Sequence, residues 1–273
     1  MCIWDMIHRI EQMHPLVHCI TNMVTVNDCA NAILAFGASP TMARHIQEVE
    51  EVTAGCSALV LNLGATGDYE AMEKACRAAK KLGHPIVLDP VLAGGSSYRR
   101  DFAEKLLKEG FITCVRGNRA EISALASGKA TQTGVDAGEA FAKESPEYWQ
   151  KTAEELADRF DTIVIISGVT DIVSDGRNTY AVDNGSPFMT RITGSGCMLS
   201  ALLGAYLGAL QKEKYLKGAL AAVCAMGICG ELAEEAMIKA DGGTMTFHGK
   251  LLDAMSKLNQ NVIEKNEKVK KLK

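Results

Sequence analysis

The strongest constraint on the fold is a series of short, continuous apolar runs separated by helical patterns. Residues 16–20, 58–63, 85–88, 112–115 and 162–167 are such runs. A strand with one wet face alternates apolar and polar residues, whereas uninterrupted runs suit strands covered on both faces of a parallel sheet. The intervening residues 69–82 place Met72, Ala75, Cys76, Ala79 and Leu82 on one helical face. Asp68 stands where an N-cap belongs, Gly83 where a closing glycine belongs, and Pro85 lies just beyond. Strand–helix alternation of this kind implies right-handed crossovers with helices on both faces of the sheet.

After Ser167 the pattern changes. Residues 171–174 and 179–182 read as an antiparallel hairpin turning at Asp175-Gly176. Three helical blocks follow, at 194–210, 215–237 and 247–262, the first two apolar nearly all round and rich in Ala and Gly. Such helices are expected to be buried and closely packed. The charged tail 264–273 is expected to fray into solvent. Residues 127–147, with little apolar periodicity, are expected to form a loop or flap. With no internal repeat or low-complexity linker, the reading is a single domain over residues 1–273, a size that buries roughly 75% of the unfolded chain's surface without disulfide or metal staples.

Composition narrows the function classes. The net charge is −4 with mixed signs and aromatics make up 5% of the chain, so there is no basic, aromatic-laced stripe for nucleic acid. An anionic ligand would need local positive features. Nine cysteines are scattered without a C-x-x-C pair, which reads as reduced thiols in a reducing compartment, the cytoplasm. Residues 1–9 carry Asp5 and no long apolar region of a signal peptide. Residues 192–211 contain no charge, but their first five are mostly polar or glycine, so the remainder reads as a core helix and not a membrane span.

Chemistry concentrates at predicted strand ends and one helix start. Thr193-Gly194-Ser195-Gly196-Cys197 enters a long apolar helix, where unpaired amides and the helix dipole favour an anion. It is neither a Rossmann fingerprint nor a Walker A loop. The helix start lowers the Cys197 thiol pKa, whereas a nearby triphosphate would raise it; the residue also fits simple packing. Asp89-Pro90 ends an apolar run, on the rim where parallel sheets bind ligands, but equally suits a turn. Arg116-Gly117-Asn118-Arg119-Ala120-Glu121 offers a cation for phosphate and a carboxylate for magnesium, or else an Asn118–Glu121 capping box. Ser167-Gly168 ends another run. His14 and His18 are four apart, but Pro15 and the strand pattern oppose a helical metal pair.

These segments together resemble the hydroxyethylthiazole kinase family of ribokinase-like kinases. The resemblance runs nearly the whole chain, through His18-Cys19-Ile20-Thr21-Asn22, Gly37-Ala38-Ser39-Pro40-Thr41-Met42-Ala43, Leu59-Val60-Leu61-Asn62-Leu63-Gly64, Val87-Leu88-Asp89-Pro90-Val91, Val115-Arg116-Gly117-Asn118 with Glu121, and Thr193-Gly194-Ser195-Gly196-Cys197. It implies a three-layer α/β/α fold with a mostly parallel sheet, and transfer of the γ-phosphate of ATP, with Mg²⁺, to 4-methyl-5-(2-hydroxyethyl)thiazole in thiamine biosynthesis and salvage. It also implies substrate positions at Met42, Gly194 and Asn22, nucleotide contacts at Arg116, Ser167 and Gly196, and metal-associated acids at Asp89 and Glu121. Cys197 stands where most ribokinase-like kinases carry an aspartate base. The family's homotrimer, with thiazole sites between subunits, is a further expectation.

Two positions depart from the family pattern: Leu92 follows Val91 where a glycine is usual, and Ser195 replaces a common threonine. The rival readings are a kinase of the same fold for hydroxymethylpyrimidine, pyridoxal or a sugar, a non-catalytic nucleotide or thiazole sensor, and an ATP-hydrolysing lyase, which usually carries aspartate at the position of Cys197.

Overall fold

The computed structural model describes residues 3–129 and 144–273. In chain order its strands are β1 (Leu16–Ile20), β2 (Ser39–Thr41), β3 (Ala58–Asn62), β4 (Ile86–Asp89), β5 (Cys114–Asn118), β6 (Ile163–Ser167), β7 (Asp171–Ser174), β8 (Thr179–Val182) and β9 (Val269–Lys271). Its helices are α1 (Ile3–Met13), α2 (Val26–Ala35), α3 (Val49–Ala54), α4 (Tyr69–Leu82), α5 (Ser97–Lys108), α6 (Arg119–Ser127) and α7 (Pro146–Phe160), then α8 (Ser195–Gly208), α9 (Tyr215–Lys239), α10 (Thr244–Lys257) and α11 (Gln260–Asn266).

The strands join in one sheet in the order β2-β1-β3-β4-β5-β6-β7-β8-β9. Pairing is parallel from β2 to β6 and antiparallel beyond. Each continuous apolar run alternates faces. Val60 and Val87 enter a core shared with α1, α2, α8, α9 and α10. Leu59, Leu61, Ile86 and Leu88 enter the opposite core, with α4, α5 and α7. Burial on both faces is why these strands carry no polar alternation. The result is the expected three-layer α/β/α architecture.

Several local readings are corrected. The run at 112–115 becomes Cys114–Asn118, so Arg116 lies inside the strand rather than after it. The block at 247–262 is two helices, because Asn259 takes an extended conformation and its side chain caps α11 through the Val262 amide. The tail does not fray: Val269–Lys271 pairs with β8, and the Lys273 ammonium reaches Glu154 and the Gly176 carbonyl. Asp68 sits at the N-cap position of α4 without capping it, its carboxylate lying 3.8 Å from Arg44. Gly83 closes α4 at φ 74°, as expected of a left-handed terminus. The segment 127–147 falls mostly outside the described residues, and Pro146 opens α7.

Among the described residues, one helix, Lys212–Lys239, is long and apolar enough to cross a membrane, and 78% of its apolar stretch is buried against the rest of the chain. The charge-free segment noted in the sequence forms the shorter α8.

Candidate active site

The parallel strands end on a common rim, and register brings their last residues side by side. Asn62 of β3 pairs with Asp89 of β4, and Asn118 of β5 pairs with Ser167 of β6. Helix α8 packs along β1, β3 and β4 and delivers its amino end to this rim. Gly204 makes that approach possible, because a Cβ there would stand 2.5 Å from Val60 and 2.7 Å from Val17.

At the α8 start, Gly194 adopts φ 87°, in the left-handed region that strains other residues, and a Cβ there would lie 3.1 Å from Thr25 and 3.3 Å from Asp28. Gly196 faces Arg116; a Cβ there would lie 2.5 Å from a guanidinium nitrogen. Arg116 Nε donates to Ser167 Oγ at 2.9 Å. Arg116, Ser167 and Gly196, expected as nucleotide contacts, therefore form one cluster of cation, hydroxyl and helix-start backbone.

Asp89 is 1% exposed. Its Oδ2 accepts from Ser200 Oγ at 2.8 Å and from Asn62 Nδ2 at 3.2 Å. Burial raises its pKa, opposed by Arg116 and these hydrogen bonds. Glu121 is also buried, and its pKa is pushed up to about 7, first by burial and then by Asp89. Its Oε2 accepts from the Asn118 amide and its Oε1 from the Leu92 amide. The Asn118–Glu121 capping box is thus formed, and the same carboxylate also holds the turn after β4. In that turn Leu92 takes φ 64°, the left-handed backbone that glycine adopts most readily.

Asp89 and Glu121, close enough for the one charge to raise the other's pKa, are the acids a magnesium ion would meet on this rim. No group of three or more His, Cys, Asp or Glu side chains able to hold a metal occurs among the described residues. Magnesium usually takes only one or two carboxylates, with water and phosphate oxygens completing its shell. Asp89 uses only Oδ2 for hydrogen bonds among the described residues, and two neighbouring desolvated carboxyls favour a cation. The donor set fits.

Cys197 is half-buried in the first turn of α8. Its sulfur accepts from Asn62 Nδ2 at 3.2 Å and Asn22 Nδ2 at 3.7 Å. Burial pushes the thiol pKa up to about 11, with Asp89 adding to the rise and Thr25, Arg116 and Asn22 opposing it.

Met42 lines a hollow of about 380 Å³ with Cys19, Thr21, Met23 and Val26. Asn22 lies between two of those lining residues and points its amide at Cys197. The two histidines do not converge. His14 bonds the Gly37 carbonyl, while buried His18 bonds Thr53 and the Ala43 carbonyl. Asn62 and Ser200 were not singled out as site residues from the sequence. An asparagine ending an apolar strand was the available signal; Ser200 gave none.

A mostly parallel sheet with acids, an arginine and a glycine-lined helix start on its carboxyl rim defines a small-molecule kinase of ribokinase-like fold. A solved pyridoxal kinase from Staphylococcus aureus in complex with AMP-PCP and pyridoxal shares this fold at TM-score 0.60, with 16% identity over 80% of this chain and 87% of that one, a likeness of fold alone. The chain belongs to the hydroxyethylthiazole kinase family, whose sequence pattern matches residues 7–261. A hydroxyethylthiazole kinase of Clostridium botulinum (strain Eklund 17B / Type B) is 42% identical over 97% of this chain and 94% of its own length. One of Clostridium beijerinckii is 41% identical over 99% and 97%. The solved hydroxyethylthiazole kinase protein of Pyrococcus horikoshii OT3 superposes at TM-score 0.86, with 38% identity over 99% of both chains.

Proposed function

We propose that the chain, acting as one kinase unit, transfers the γ-phosphate of ATP to the hydroxyl of 4-methyl-5-(2-hydroxyethyl)thiazole. One observation carries the reading: the first turn of α8 presents Gly196 to the Arg116 guanidinium and Cys197 to Asn22, so phosphate-binding and acceptor-facing groups share a single helix start. The triphosphate lies against the amides of Gly194, Ser195 and Gly196, with Arg116 and Ser167 holding its oxygens. Such fixed donors stabilise charge on the transferring phosphoryl. Asp89 and Glu121 would hold magnesium, which supplies charge neutralisation at the phosphate oxygens. The alcohol enters by the Met42 hollow, with Asn22 and Gly194 beside it.

The acceptor oxygen forms its bond to the γ-phosphorus as the β–γ bridging bond breaks. ADP leaves with the bonding electrons, and the alcohol gives up its proton. Cys197, a neutral thiol at pH 7, orients that hydroxyl through its sulfur, and the proton passes to an oxygen of the transferring phosphoryl group as the ester forms. Among the described residues, eight cysteines are buried or half-buried and free of disulfides, which suits a cytoplasmic setting. Exposed Met23 and Val24 beside the hollow suit a homotrimer whose subunits cover it. A coupled assay with the thiazole alcohol, ATP and magnesium tests the reading. Cys197→Ala should slow transfer by about 10²-fold, and Cys197→Asp should retain it; equal, undiminished rates in both would remove the thiol from the chemistry.

A further inference from the structure

Asn62 uses every hydrogen-bonding position of its carboxamide. Nδ2 donates to Asp89 Oδ2 at 3.2 Å and to Cys197 Sγ at 3.2 Å. Oδ1 accepts from Asn22 Nδ2 at 3.1 Å and from the Gly64 amide at 2.9 Å. Two donors and two acceptors are all that an asparagine side chain offers. The orientation of the amide is also fixed, because reversing it would set Oδ1 against the Asp89 carboxylate and the NH₂ group against the Gly64 N–H. The group is 1% exposed. Gly64 closes the remaining space: a Cβ there would stand 2.8 Å from Asn62 Oδ1 and 2.9 Å from Asn22 Cβ.

A fully satisfied buried amide is rigid, and here it touches the phosphate-side acid and the acceptor-side thiol at once. Resting on the kinase reading above, we infer that Asn62 is a positioning residue for phosphoryl transfer: its carboxamide fixes the Cys197 sulfur relative to Asp89 and Asn22. It does not touch the reacting atoms itself. Misplacing a reacting geometry by an ångström can cost about 10²-fold in rate, so the sulfur's location is worth holding. A serine or alanine at position 62 would leave the Gly64 amide, the Asn22 amide and one side of the sulfur without their partner.

The test is a double-mutant cycle with a chemical probe of the thiol. Asn62→Ala should lower kcat by about 10–100-fold, with KM for the thiazole alcohol and ATP little changed. In a Cys197→Ala background the same change should alter kcat by no more than about twofold, the range of independent sites. Without nucleotide or metal, iodoacetamide should label Cys197 several-fold faster in Asn62→Ala, since a released thiol samples more exposed rotamers. Peptide mass spectrometry separates this label from the buried cysteines, whose continued protection shows that the fold is intact. If Asn62→Ala does not fold, Asn62→Ser serves in its place. An equal loss of kcat in both backgrounds overturns the inference, as does an unchanged labelling rate. Should the unsubstituted protein fail to phosphorylate the thiazole alcohol, the kinase reading falls, while the labelling comparison still decides whether Asn62 holds the sulfur.

Discussion

At the scale of residues, Cys197 illustrates how local environment decides chemistry. A helix start alone would favour the thiolate. Burial and the Asp89 carboxylate both disfavour the anion, and together they leave its pKa at about 11. The sign is unambiguous: proton loss is resisted, so at pH 7 the side chain is a thiol. Iodoacetamide labelling of Cys197 should therefore climb about tenfold per pH unit between pH 7 and 10, following the thiolate fraction. A rate that levels off below pH 8 would reveal an activated thiolate and reverse this reading. Asn62 illustrates the opposite limit of legibility. Its partner Cys197 lies 135 positions away, and an asparagine after an apolar strand suits a turn equally well.

At the scale of elements, α8 is the part that assembles the site, and its position depends on how closely it can approach β1 and β3. Gly204 leaves no room for a side chain against Val60 and Val17. Gly204→Val should destabilise the protein by about 1–3 kcal/mol, the usual range for an overpacked core. It should also raise KM for ATP, because pushing α8 outward withdraws its amino end from Arg116. Thermal melting and steady-state kinetics measure the two effects; a melting loss with an unchanged KM would show that α8 does not set the phosphate site. The elements buried on both faces were legible in the sequence, since continuous apolar runs such as Val60-Leu61 admit few other readings. The edges were not. Strand β2 is three residues with a proline at its centre and no buried residue. Strand β9 is Val269-Lys270-Lys271, and lysines on an edge strand discourage pairing with other chains while leaving a composition that reads as a solvated tail. The break at Asn259 was hidden because apolar periodicity resumes in α11.

At the scale of the whole molecule, the site was legible as a set of strand ends, because parallel topology sends every such end to one rim. Asp89, Arg116, Glu121, Ser167 and the α8 start meet there as expected. What the sequence pattern does not supply is the cover of the hollow beside Met42, which a neighbouring subunit would provide in the proposed trimer. The hollow beside Met42 lies at the β2 end of the sheet, far along the strand order from Arg116 and Ser167 on β5 and β6. On its rim Met23 is 67% exposed and Val24 72% exposed. Burying one such side chain contributes about 1.5–3 kcal/mol, so a second copy seated there would hold both the assembly and the acceptor. Met23→Lys with Val24→Lys should convert the proposed trimer to monomer in sedimentation. The same pair should raise KM for the thiazole alcohol by roughly tenfold or more, the equivalent of one lost apolar contact. KM for ATP should stay unchanged, because the proposed phosphate cluster is built from β5, β6 and α8 of the same chain. A monomer that retains the original KM for the alcohol would show that each hollow is complete without a neighbouring subunit.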